Sequence, residues 1–303
     1  MARSVLVLLL GTNEGVPVDL YQDLQGRTAR IAARTAGIDV DVVFSSAINQ
    51  YRVIRRHLGD TIRPLDAVVV EPATVANMEL ILKDLRGRTG IVLLNAWDPL
   101  VETYHREWAP GYPMGTISMP HTKFGELQGR QVSNVVGHGG SILVVTGPSR
   151  SSAAGERLQG LKSTLRPDIQ VSDIEAGQWN ETEGALAFSI WYGVFKSRRE
   201  TIEAVVGQSD DLAVGARQAA VKVPNAEHAQ MFARAKYFGV GAVPGFGKEK
   251  VDDGTLHASI VAPPNAGTAI ELLHQYWATA RPLPLRSFSE VVPYPAERDG
   301  SQP

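Results

Sequence analysis

No cysteine occurs anywhere in the 303-residue chain. Disulfides, thiol nucleophiles, thiolate metal sites and a lipidated N-terminal cysteine are thereby excluded, while the compartment stays open, because a large exported domain can be stable without bridges. Net charge is also scarce, with 30 basic against 32 acidic side chains. The short basic runs Arg55-Arg56 and Lys196-Ser197-Arg198-Arg199 read as solvated helix ends, so no nucleic-acid partner is expected. No apolar run approaches the ~20 residues that span a membrane, and the chain is not expected to be membrane-inserted. Behind Met1-Ala2-Arg3-Ser4, the six apolar residues Val5-Leu6-Val7-Leu8-Leu9-Leu10 mimic the start of a secretory signal. The run is short and no small-residue cleavage site follows, so it reads as a first buried strand, with no export signal in the chain as given.

Chemistry-bearing motifs are equally sparse. The seven histidines include no i,i+4 pair to hold a metal. Gly11-Thr12-Asn13-Glu14-Gly15 lacks the dinucleotide fingerprint, 147–152 lacks the Gly-Lys-Ser/Thr of a phosphate loop, and no Gly-x-Ser-x-Gly elbow occurs. Asp210-Asp211 reads as a cap and dipole partner at a helix start. No catalytic residue, metal or cofactor is expected, and the chain is read as a non-enzyme.

What is present is a regular alternation. An apolar fraction of 44% over 303 residues is enough for two cores, and about two domains is the expectation at this length. Apolar runs of strand length at 5–10, 40–45, 66–70 and 91–95 alternate with helical patterns at 20–35, 49–58 and 76–85. From 99 to 113 the pattern lapses into an aromatic, proline-containing connection, read as a crossing between lobes. A second series follows: strand 115–118, helix 123–136, strand 141–145, helix 152–165, strand 170–174, helix 182–195, strand 204–207 and helix 212–220. Strands at 237–240 and 257–261, a helix at 268–280 and a proline-rich tail complete it. Such alternation predicts an α/β fold built from parallel sheets with right-handed crossovers.

In open parallel sheets, ligands sit just beyond the carboxyl ends of the strands. Polar and aromatic residues recur at those positions: Asn13, Asp19 and Tyr21 after the first strand, Asn95, Trp97 and Asp98 after the fourth, Gln178-Trp179-Asn180 after the strand near 172, and Gln208-Ser209-Asp210 after the strand near 205. The stretch 146–162 reads as strand end, tight turn and helix start, and it places Arg157 one turn into a helix, on the border of its apolar stripe. A small polyhydroxylated ligand calls for this mixture: aromatic faces against its C–H surfaces, with carboxylate, amide and guanidinium groups for its hydroxyls.

Three segments in this order, Thr146-Gly-Pro-Ser-Arg-Ser-Ser-Ala-Ala-Gly-Glu-Arg157-Leu-Gln-Gly, Gly207-Gln-Ser-Asp-Asp-Leu-Ala-Val-Gly-Ala216 and Asp253-Gly-Thr-Leu-His-Ala-Ser-Ile260, resemble the periplasmic sugar-binding proteins of the ribose-binding type. Their fold is shared with the effector domains of LacI-type repressors. The likeness runs from about residue 4 to 292. It implies two doubly wound parallel-sheet lobes joined by a three-crossing hinge (periplasmic binding protein type I): an N-terminal lobe of 1–114 plus 263–283 and a C-terminal lobe of 115–262 plus 284–303. It further implies a receptor that captures a small polar ligand, a sugar or polyol, between the lobes and delivers it to an ABC transporter permease from a periplasmic or extracytoplasmic location. The alternative is a ligand-sensing regulator of the same fold that signals to a kinase, chemoreceptor or DNA-binding partner.

By the same resemblance Arg157 matches the family's sugar-binding arginine, Tyr21 its N-terminal aromatic pair, Asp19 a polar residue just before that pair, and Trp179 its second-lobe aromatic. Asn95 and Ser209 stand where many members carry Asp and Asn. The expected ligand contacts are therefore Asp19, Tyr21, Asn95, Trp97, Asp98, Arg157, Trp179 and Ser209. The sequence departs from the family at Val240-Gly241-Ala242, where a Gly-x-Asp is usual, at Ala262-Pro263-Pro264, and at Pro120-His121.

Overall fold

The computed structural model describes residues 2–13, 15–59, 64–197 and 200–296. Arg198 and Arg199 of the basic run, and the last residues of the expected C-terminal lobe, lie outside them. In chain order the first stretch runs β1 (Ser4–Asn13), β2 (Val16–Pro17), α1 (Leu20–Ala36), β3 (Asp39–Ser45), α2 (Gln50–Leu58), β4 (Ala67–Val70), α3 (Val75–Leu85), β5 (Gly90–Leu94), α4 (Pro99–Arg106) and β6 (Met114–Ser118). It continues through α5 (His121–Ser133), β7 (Ser141–Thr146), α6 (Ser152–Thr164), β8 (Gln170–Glu175), α7 (Glu181–Phe195), β9 (Ile202–Gly207), α8 (Asp210–Ala220), α9 (Ala226–Arg234), β10 (Lys236–Phe238), α10 (Gly247–Asp252) and β11 (Ser259–Val261). The chain closes with α11 (Asn265–Thr279), β12 (Ser287–Phe288) and β13 (Val292–Tyr294).

These elements form two units, Met1–Met119 with Pro263–Glu290, and Pro120–Ala262 with Val291–Pro303. The chain thus passes from one unit to the other three times. In the first unit the sheet runs β12-β6-β5-β4-β1, with β3 on the far side of β1 and the short β2 antiparallel to the end of β1. The main strands are parallel. Alternation along β1 feeds two cores, one on each face: Val5, Val7 and Leu9 pack with Ala29, Ala33, Ala269 and Ile270, while Leu6 and Leu8 pack with Ile54, Met78, Ile81 and Leu82. A strand apolar at every position is what a parallel sheet covered by helices on both faces requires.

The second unit repeats the plan with a parallel sheet ordered β10-β9-β7-β8. Leu143 and Val145 of β7 face the aromatic core around Phe188, Phe195 and Phe232, and Ile142 and Val144 face the core around Val132, Leu161 and Phe238. Outside this sheet, β11 pairs antiparallel with β13.

Three expectations are corrected. Residues 115–118, read as opening the second lobe, form β6, which pairs in parallel with β5 inside the first unit. The tail after 284 likewise adds β12 to that sheet, so the units exchange chain at 119/120 and 290/291 rather than near 114 and 284. The supposed irregular crossing at 99–113 contains α4, started by the Asp98 cap with Pro99 in its first turn and anchored by the buried Val101. An eight-residue helix is too short for periodicity to declare itself, and the pre-set φ of proline at a helix start is easily read as a loop signal.

Candidate ligand-binding residues at the strand ends

In both sheets the chain order reverses beside the central strand: β3 lies on one side of β1 and β4 on the other, and β8 and β9 flank β7 in the same way. Crossovers leaving such a point in opposite directions open a crevice at the carboxyl ends of the strands. Each unit carries its polar cluster there.

In the first unit the cluster centres on Glu71, directly after β4. Its Oε2 accepts from Gln22 Nε2 at 2.9 Å and its Oε1 from Asn95 Nδ2 at 3.2 Å. Asn95 Oδ1 accepts from Asn265 Nδ2 at 2.7 Å, and Asn265 Oδ1 accepts from Ser289 Oγ. Asn95 adopts φ 52°, a left-handed conformation that asparagine tolerates better than most residues, and this turns its amide into the network. Burial pushes the Glu71 carboxyl above the usual range, and the two amide donors offset part of that effect. Gln50 fixes the following loop, donating to Glu71 O at 2.7 Å and accepting from Ala73 N at 2.9 Å.

The other expected residues of this unit lie around that network. Asp19 caps α1 through Gln22 N at 2.8 Å, and although the residue is exposed overall, desolvation raises its carboxyl pKa. Tyr21 donates from its hydroxyl to Pro263 O at 3.1 Å. Trp97 is half-buried against the first unit's second core, and the Arg286 guanidinium lies 4.5 Å from its ring centre and 4.7 Å from that of Phe288. Asp98 accepts from Leu100 N at 2.9 Å and so caps α4.

In the second unit Arg157 is only 8% exposed. Its guanidinium lies 5.0 Å from the ring centre of Phe124 and 5.3 Å from that of Trp179, and Nη1 donates to Gln208 O. Trp179 packs directly against Gly147, where a Cβ would lie 2.2 Å from two of its ring atoms. Gln208 ties the loops together, accepting from Gly147 N and donating to Ala154 O, each at 2.9 Å. Ser209 caps α8 through Leu212 N at 3.2 Å.

The cap of α8 is thus Ser209, and Asp210 does something else. Its carboxylate is buried, accepting from Ser259 Oγ at 2.5 Å and Ala242 N at 2.6 Å. The backbone at Gly239 and Gly247 comes so close to it that a Cβ would lie about 2 Å from a carboxylate oxygen. Burial raises its pKa to about 6, against the lowering effects of those two hydrogen bonds and of Arg157. One carboxylate therefore pins the β9–α8, β10–α10 and β11 segments in the region where the resemblance leads one to expect an aspartate after β10. His121 is held neutral, its pKa pushed down to about 3 by burial and by Arg157.

The structure brings the expected Arg157 and Trp179 into contact and places Asn95 in a network that the sequence reading did not foresee. It missed Gln22, Glu71, Asn265 and Ser289 in one unit and Phe124 and the buried role of Asp210 in the other. A polar residue directly after an all-apolar strand, as at Glu71 after β4, is the signal that could have found the group organising the first cluster. Among the described residues no group of three or more His, Asp or Glu side chains is placed to hold a metal ion.

Two double-wound α/β units with polar clusters at their strand ends are an architecture suited to holding a small solute. The periplasmic binding protein domain family matches residues 19–280, and the chain belongs to that family, whose members are binding proteins rather than enzymes. The chain is 25% identical over 184 residues to the xylitol-binding protein of Mycolicibacterium smegmatis, covering 60% of this chain and 49%, about half, of that protein's length. It is 23% identical over 233 residues to a putative rhizopine-binding protein of Rhizobium meliloti, covering 72% and 71% of the two chains. Among solved structures it is similar to a periplasmic ribose ABC transporter protein from Conexibacter woesei, with TM-score 0.76 and 18% identity over 96% of this chain and 91% of the other. A solute-binding protein from Actinobacillus succinogenes with bound D-allose gives TM-score 0.76 at 17% identity, over 96% of each chain.

Proposed function

We propose that the chain is the receptor of a solute importer, taking up a sugar or polyol at its strand ends and delivering it to an ABC transporter permease on the extracytoplasmic side of the membrane. The observation that carries this reading is the Arg157 guanidinium held against Phe124 and Trp179 beside a switch point. Such an assembly offers a hydroxylated ligand charged donors and an aromatic face at once. In this reading Arg157, Trp179, Asn95, Tyr21, Asp19 and Trp97 contact the ligand. Asp98 and Ser209, whose side chains cap α4 and α8, border it with helix N-termini. The names of the relatives, which specify xylitol and rhizopine, and of the structural neighbours, which specify ribose and D-allose, support a polyhydroxylated ligand class.

The test is a thermal-shift screen against pentoses, hexoses, pentitols and inositols, followed by calorimetric titration of any hit. A ligand that binds only the folded chain raises its melting temperature. Arg157→Ala is expected to weaken binding by about 10- to 150-fold, because hydrogen bonds to a charged donor contribute roughly 1.5–3 kcal/mol. A folded Arg157→Ala variant that binds the hit with unchanged affinity removes Arg157 from the site. A panel with no hit argues against the sugar and polyol class.

A further inference from the structure

One side of α7 carries no charge and is left uncovered by the described residues. Gly184, Ala187, Phe188, Tyr192 and Phe195 face the core of the second unit. The outward positions Thr182, Leu186, Ser189, Ile190, Gly193 and Val194 are all exposed, and not one of them is ionisable. Leu186, Ile190 and Val194 are 50%, 57% and 66% exposed and recur every fourth residue, so they form one continuous ridge. The solvent face of a helix is ordinarily polar, and contiguous apolar surface marks an interaction site.

Gly193 strengthens the point. It sits inside the helix, where glycine costs up to about 1 kcal/mol relative to alanine. A Cβ built there meets nothing within 4 Å, and its φ is not left-handed. Nothing in the described chain calls for a glycine at this position, whereas the close approach of another backbone would. Ser189, one turn earlier on the same face, is also small, so the apolar ridge runs beside a shallow groove of the kind that helix packing fills. Next to the helix, β8 is an outer strand, paired among the described residues with β7 alone. A recess of about 240 Å³ opens between its Ser172 and Asp173 and the flank of α7.

Charge identifies the occupant. The first turn of α7 holds Glu181 and Glu183, fixed by Gln218 Nε2 at 2.6 Å and Gly177 N at 3.1 Å, and the other end carries Lys196 at the C-cap. Between Glu183 and Lys196 there is no charged residue. A copy of the same helix laid antiparallel sets each acidic end against a basic one and opposes the two helix dipoles. We infer that this face binds a second copy of the chain, α7 packing antiparallel on α7 about a two-fold axis near Ile190. In that arrangement Leu186 meets the partner's Val194, Glu183 lies beside the partner's Lys196, and Gly193 and Ser189 receive the apolar ridge. The surface is self-complementary, so association closes at the dimer.

The experiment is sedimentation of the full chain over a concentration series, read together with two variants. The wild type is expected to reach twice the 32.8 kDa chain mass, and Ile190→Glu to weaken self-association by at least about tenfold. Because the chain has no cysteine, Ile190→Cys introduces a single thiol. A short bis-maleimide is expected to link it into covalent dimers well above the level given by Ile48→Cys, a control thiol at a 92% exposed position in the other unit. A chain that stays monomeric at every concentration overturns the proposal, as does a dimer that Ile190→Glu leaves unchanged. Cross-linking at 190 no greater than at 48 overturns the two-fold pairing. Should Ile190→Glu fail to fold, judged by circular dichroism, the cross-linking comparison decides.

Discussion

Asp210 carries a negative charge that its surroundings only half support. Two hydrogen bonds and the nearby Arg157 favour the carboxylate, but burial outweighs them and the pKa rises from 3.8 to about 6. The folded state therefore holds a proton that the unfolded state has already released between those two values. Stability from this group is present below pH 4 and is lost as pH rises through about 6. Against Asp210→Asn, whose amide does not titrate, urea unfolding at successive pH values is expected to show this component in the wild type alone, at most about 3 kcal/mol across the window. Equal pH dependence in the two proteins would mean the carboxylate titrates normally. Asp210→Ala is a harsher change, since it leaves the Ala242 N–H and the Ser259 hydroxyl without their acceptor.

Single residues also show what the sequence concealed. Arg157 and Trp179 stand out on their own, one on the border of a helical stripe, the other in a polar Gly-Gln-Trp-Asn loop. Glu71, Gln22 and Asn265 do not: each is an ordinary polar residue at an element boundary, and the network that joins them spans 22 to 265 in sequence. Only the parallel order of β1, β4 and β5 makes them neighbours.

At the scale of elements, the position of Arg157 depends on how closely two helices approach. A Cβ at Gly125 of α5 would lie 1.9 Å from Arg157 O, and one at Gly160 of α6 would lie 2.0 Å from Thr122 O. The contacted atoms are backbone, so neither helix can yield locally, and any side chain separates them. Gly125→Ala is expected to cost about 1–3 kcal/mol by overpacking and to loosen ligand binding by shifting α6 with its arginine. Gly155→Ala on the open face of α6, where a Cβ meets nothing, is expected to stabilise by about 0.5–1 kcal/mol. Thermal denaturation of the pair checks both signs, and a Gly125→Ala variant as stable as the wild type contradicts the close packing.

For the molecule as a whole, the consequence of three chain passages is that each unit is completed by a segment distant in sequence. Ala266, Ala269, Ile270 and Leu273 of α11 sit in the same core as Val5, Val7 and Leu9 of β1, and β12 extends that sheet beyond β6. A chain ending at residue 262 is therefore expected to lose the cooperative unfolding transition of the first unit while keeping that of the second, whose four-stranded sheet lies within 141–238. Scanning calorimetry of the truncated and full chains tests this, and two intact transitions in the truncated chain would show that α11 is dispensable.

The amino-acid sequence by itself determined the class of architecture. Buried parallel strands are written as uninterrupted apolar runs, and helices on both faces as stripes between them, so the repeating unit is local and legible. It also singled out Arg157 and Trp179, because a guanidinium and an indole beside a glycine turn are conspicuous without neighbours. What only the tertiary structure decided is pairing: that β6 belongs with β5, that a cap-like aspartate is a buried carboxylate pinning three segments, and that Glu71 gathers amides from two other elements. Those outcomes depend on which strands lie side by side, a long-range choice that no window of adjacent residues contains.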